Sequence, residues 1–277
     1  MSLRGTIEIT KCAMGLDLMK RYPCTDLQQD NPKETCVTAL MGYDENDNPV
    51  HHFSVFAQRA SVYVQYSNKE LQEPAPDVAS PYYKYGKGRR FLDRRYDNGN
   101  TIILFDNSDS HSIMDTLVPA RGEWESRWRR LPFYINSLPE LPSNDGDLPG
   151  ECMRTITQDI FKAVTETWGE VLDASWEHVS ILEDKIYEQP ADESRAPELW
   201  RNQAKWLIYE KLMYNHQDTV TDMQRFLVEL DGDLSDAGQW LKESPDDFKK
   251  LETLMSEDLV KRTNNLSDLV GRPHSPA

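Results

Sequence analysis

The sequence predicts an α+β protein: an N-terminal mixed α/β sheet domain, then a long antiparallel helical hairpin and a stalk-like third helix. Three observations predict it. Short apolar runs separated by turn residues fill the first half. Three amphipathic stretches, each longer than an ordinary globular helix, fill the second. Between them Pro132, Pro139, Pro142 and Pro149 punctuate an acidic stretch, Ser143-Asn144-Asp145-Gly146-Asp147, the clearest linker in the chain. The expected division is a sheet domain over 1–148, a long-helix domain over 149–271 and a flexible tail over 272–277.

The strands come first. Thr6-Ile7-Glu8-Ile9-Thr10 alternates with the period of a half-buried strand. Cys36–Met41 and His52–Phe56 flank the turn-forming run Asp44–Pro49, which reads as a hairpin with a longish loop. Ser61–Tyr66 alternates again. Thr101–Phe105 is apolar throughout after Thr101, as expected of a strand covered on both faces.

A polar, basic insert spans about 68–98, with Tyr82-Tyr83-Lys84-Tyr85-Gly86-Lys87-Gly88-Arg89-Arg90 at its centre. Interleaved cations and aromatics suit single-stranded nucleic acid. The patch is local, the chain is acidic and no nucleic-acid motif accompanies it, so the reading is a solvated loop and no nucleic-acid partner. Glu123–Arg130 carries Trp124 and Trp128 four apart, which predicts a short helix burying both indoles.

The helices follow, expected at about 156–188, 198–231 and 245–270. The first seam runs Ile160, Val164, Trp168, Val171, Val179, Leu182 and Ile186, with Ser175 between Val171 and Val179. The second runs Trp206, Met213, His216, Val220, Met223, Leu227 and Leu230. His216 reads as a satisfied core or rim residue, not a ligand. Gly232 and Gly238 stop that helix, and Ser244 is expected to cap the third, with Asp246 and Asp247 in its first turn. The third seam is Phe248, Leu251, Met255, Leu259 and Leu266, with Asp258 and Arg262 close beside it. Charges so near a seam mark register or a contact between subunits.

Composition narrows the function. The net charge is −16, and residues 151–277 carry 26 acids against 14 bases. That field repels nucleic acid and anionic lipid and attracts cations or basic partners. Cys12, Cys24, Cys36 and Cys152 lack zinc-ligand spacing, and the start lacks an apolar leader, so a reducing, cytoplasmic setting is expected. No apolar run reaches the length of a bilayer span. No Walker loop, dinucleotide fingerprint, nucleophile elbow or zinc-protease helix is present, so the chain does not read as an enzyme. Asp44–Asn48 is calcium-like in composition but lacks the loop glycine and the distal glutamate.

At the hairpin the sequence becomes specific. Ile181-Leu182-Glu183-Asp184-Lys185-Ile186-Tyr187-Glu188-Gln189-Pro190 leads through Ala191–Pro197 to Glu198-Leu199-Trp200 and Trp206-Leu207. Together with Asp258–Lys261 and Asn264–Leu269 it resembles the cytosolic part of CorA-like divalent-cation transporters, in the divergent branch common in filamentous fungi. The resemblance implies homopentamers that pass Mg²⁺ or a related ion, with carboxylates between cytosolic domains binding the ion and holding the channel shut. It implies contact with a membrane only through helices that this sequence lacks, along with the family's Gly-Met-Asn pore signature. Gly271-Arg272-Pro273 stops the last helix where a stalk would continue.

Asp247, Glu257 and Asp258 are the candidate metal-contacting residues, chosen for their place near the seam of the last helix. The competing reading for each is an ordinary solvated or capping acid. The functional expectation is a cytosolic regulatory and assembly domain that self-associates and senses Mg²⁺. The alternative is a stand-alone helical interaction protein that keeps the fold without ion transport.

Overall fold

The computed structural model describes residues 9–23, 36–43, 49–67, 100–106, 120–136, 148–189, 193–231, 241 and 243–270. The chain is α+β. Strands β1 (Ile9–Pro23), β2 (Cys36–Tyr43), β3 (Pro49–Ser67) and β4 (Thr101–Asp106) form one antiparallel sheet. β3 is its hub. β1 lines one edge, from Pro23↔Phe53 to Ile9↔Ser67. β2 pairs with the first part of β3, up to Phe56, and β4 with Ala60–Gln65. A strand has two edges, so β2 and β4 lie end to end along the second one.

Three strand expectations need correction. The first strand runs on to Pro23 instead of stopping at Thr10. His52–Phe56 and Ser61–Tyr66 are parts of one strand, because β1 pairs without a register shift across Ala57–Ala60. β4 is not covered on both faces, since Ile103 is 41% and Phe105 62% exposed.

Three further elements precede or form the linker side of the helices: α1 (Ala120–Ser126), a 3₁₀ turn (Trp128–Arg130) and α2 (Leu131–Asn136). The expectation of two buried indoles fails here. Trp128 is buried and donates its indole N–H to Asp159 at 2.8 Å, whereas Trp124 is 52% exposed. The helix breaks between them, so the two rings do not share a face.

Helices α3 (Leu148–Glu188) and α4 (Ala196–Asp231) form the hairpin. The third helix is α5 (Ser244–Thr253), a π-helical segment (Leu254–Val260) and α6 (Lys261–Val270) in unbroken succession. Ser244 is not the cap. Glu243 holds that position without a side-chain hydrogen bond, and Ser244 is a buried first-turn residue followed by Pro245. Every residue of the first seam is buried, including Ser175. The second seam is buried from Trp206 to Leu227, and Leu230 lies outside the residues whose burial is described.

Side-chain partners fix the directions. Trp168 meets His216 and His178 meets Asn202, so α3 and α4 are antiparallel. Trp206 reaches Thr263 while His216 lies against Phe248, so the third helix is antiparallel to α4. It packs on both hairpin helices along its length, and β1 packs on both as well. The hairpin is thereby held between the sheet and the third helix. One continuous apolar cluster runs from Cys12 on β1 to Leu266 on α6.

Candidate functional site

The third helix shows why its sequence folds as it does. Pro245 suits a first turn, where its missing N–H costs nothing. Asp246 and Asp247 sit there too, facing the positive end of the helix dipole. Phe248, Met255, Leu259, Thr263 and Leu266 turn inward and are buried. The opposite side is mostly charged and polar, with Leu254 and Leu269 exposed among those residues.

That side carries all three candidate ligands. Asp247 accepts a hydrogen bond from Lys250 at 3.0 Å, and Glu257 accepts one from Lys261 at 2.9 Å. These carboxylates raise the pKa of Lys250 and of Lys261, chiefly through the hydrogen bonds. Asp258 is exposed and has no cationic partner among the described residues. Asp247 stands ten positions before Glu257, roughly 15 Å away along a helix axis. Among the described residues no three His, Cys, Asp or Glu side chains gather to hold a metal within one copy. The acids form a line along the helix instead of a cage.

Glu257 and Asp258 lie in the π-helical segment, whose wider turn re-aims successive side chains relative to α5. No residue pattern in the sequence signals that turn. Of the two charges beside the seam, Arg262 has its partners within the chain. Arg262 pairs with Glu183 and donates to Ser180 at 3.1 Å, and its guanidinium lies 5.2 Å from the Trp176 ring centroid. It therefore sets the register of α6 on α3.

No protein-family model, curated protein or solved structure matches this chain.

The other chemistry-bearing residues are mostly structural. His216 is 2% exposed; its Nδ1 accepts the Trp168 indole N–H at 3.1 Å, and the ring stands edge-on to Trp168 and Phe248. Burial pushes its pKa down to about 4, opposed by the nearby Asp17. His178 bridges to Asn202 at 2.9 Å and lies 3.7 Å from Glu198. Cys12 and Cys152 are free thiols, and burial, then Glu151, pushes Cys152 up to about 12, so it is a poor nucleophile. The basic run 82–96, the acidic run 143–147 and Asp44–Asn48 lie outside the described residues. No helix among the described residues is long and apolar enough to cross a membrane.

One surface escaped the sequence reading. Trp200, Leu207 and Tyr214 are 59%, 60% and 57% exposed on the outer side of α4. Their seven-residue spacing was the available signal, masked because the inward seam of the same helix has the same period.

Proposed function

We propose that this chain is the cytosolic regulatory and assembly domain of a CorA-like Mg²⁺ transporter, sensing divalent cations through acidic helix surfaces. The observation that carries the reading is the third helix. Its buried side is locked to the hairpin, while Glu257 and Asp258 stand in the π-helical segment on its solvent side. The hairpin sequence that resembles the family and the acidic balance of residues 151–277 support it further.

The chemistry is straightforward. Mg²⁺ keeps most of its waters and needs only one or two carboxylates, so a line of acids on one copy suffices if a neighbour supplies the rest. Asp258 is open to such an ion. Glu257 would exchange Lys261 for it, an exposed, solvent-screened pair that costs little to break. Bound cations would also relieve repulsion between copies of a chain carrying −16. Copies would then assemble with cation and part without it, as pentamers if the family pattern holds.

The test is solution mass by light scattering, in Mg²⁺ and then in EDTA. The expected result is a larger, Mg²⁺-dependent assembly whose cation response weakens in Asp258→Asn and Glu257→Gln. A mass indifferent to millimolar Mg²⁺ overturns the reading. The exposed apolar stripe of α4 favours the alternative of a stand-alone helical interaction protein, which that indifference would then support.

A further inference from the structure

The third helix changes register within Leu254–Val260. Counted in α-helical steps from Phe248, its inward positions are Phe248, Leu251, Met255, Leu259, Arg262, Leu266 and Leu269. As far as Leu259 the fold keeps that count: Phe248, Met255 and Leu259 are buried and Leu251 packs against the core. Beyond Leu259 the count slips by one. Thr263 is buried where Arg262 is due, and Val270 packs on the core where Leu269 is due, leaving Leu269 45% exposed. Leu266 serves both counts. The π-helical segment causes the slip, because i→i+5 bonding takes an extra residue into the turn.

We propose that the third helix is a two-register switch. α6 rolls between the present register, spliced to α5 by the π-helical turn, and a continuous α-helical register in which Leu269 turns onto the hairpin and Thr263 rolls away from it. Each register holds what the other gives up. The present one is fastened by polar contacts: the Trp206 indole N–H donates to Thr263 Oγ1 at 3.1 Å, Gln203 donates to Asn264 at 2.9 Å, and Arg262 pairs with Glu183. The other buries the Leu269 side chain and restores α-helical hydrogen bonding from α5 through to α6. Arg262 then comes in over the seam, its guanidinium kept at the rim on its long stem.

α5 does not take part. Phe248 stands edge-on to His216 and Ser244 is buried, so the roll starts at the splice. Packed helices have discrete arrangements instead of a continuous slide, and register shifts between them fall in the μs–ms range. The splice is also reachable from solvent. Leu254, Glu257 and Asp258 are exposed on it, so whatever binds there biases the register. The switch needs no cation and does not rest on the reading above.

The experiment is fluorine NMR of the full chain carrying fluorotryptophan, in EDTA, with the Trp206 line assigned through Trp206→Phe. That line is expected to show exchange between two environments on the μs–ms timescale. Thr263→Val leaves the indole N–H without its acceptor in the present register and is expected to raise the other population about fivefold. Leu269→Ser removes the burial that favours the other register and is expected to lower it about fivefold. Deletion of Ser256 takes the extra residue out of the splice, so the faces of α5 and α6 now in use fit one α-helix and the exchange disappears. A single Trp206 line without exchange at every temperature below unfolding overturns the proposal. Populations that neither Thr263→Val nor Leu269→Ser moves overturn it as well, even where the deletion variant fails to fold.

Discussion

At the scale of single residues, His216 carries the sharpest consequence. Its Nδ1 accepts the Trp168 N–H, so in the neutral ring the proton sits on Nε2, and the Asp17 backbone also hydrogen-bonds the ring. Asp17 is the acid that faces it, and that carboxylate is itself held below its usual range, first by the Arg59 hydrogen bond. With a folded pKa of about 4, the native state resists a proton that the unfolded chain accepts at about 6.5. Stability therefore falls as pH drops from about 6.5 to about 4, by about 3 kcal/mol in all. Urea unfolding at pH 7, 5.5 and 4 is expected to show that decline, and His216→Gln to flatten it. That His216 belongs to the core was legible from its place in the second seam. Its bond to Trp168 was not, because the sequence sets each helix's face but not which layers of two helices meet.

At the scale of elements, the helices were far more legible than the strands. Seams recurring at three and four residues survive small errors at either end, and the buried positions of α3, α4 and the third helix follow them closely. β1 was missed beyond Thr10 although Cys12, Met14, Leu16 and Leu18 do alternate; Met19, also buried, breaks the pattern just where the strand continues. In β3 the weak strand formers Ala57, Gln58 and Arg59 interrupt two readable runs, and only pairing with β1 carries the strand across them. The candidate ligands were correctly placed on the last helix, but their lysine partners and the π-helical turn beneath Glu257 and Asp258 depend on local geometry that residue spacing does not encode. Arg262 offers the test at this scale. Arg262→Met removes the pair with Glu183 and leaves that carboxylate, 17% exposed, without its guanidinium. The expected cost is about 1–2 kcal/mol, with faster amide exchange concentrated in residues 254–270.

At the scale of the whole molecule, the sheet and the helices share one core, and Cys12 on β1 touches Met223 on α4 at 3.6 Å. A change in the sheet should therefore be felt in the helices. Leu18 is fully buried on β1, and Leu18→Ala is expected to cost about 2–5 kcal/mol. The helical far-ultraviolet signal and the tryptophan fluorescence should then shift together to lower urea; separate transitions would mean that sheet and hairpin unfold independently. Within the sheet, the end-to-end arrangement of β2 and β4 has its own implication. Among the described residues neither strand bridges the other's half of β3, so on that edge Ala57, Gln58 and Arg59 form a splice between two narrower ribbons. The far edge, continuous along β1, is what keeps the splice from bending. The sheet is in effect a jointed plate with one stiffening rail, and twist imposed at its β2 end is passed to its β4 end through β1 and the central strand alone.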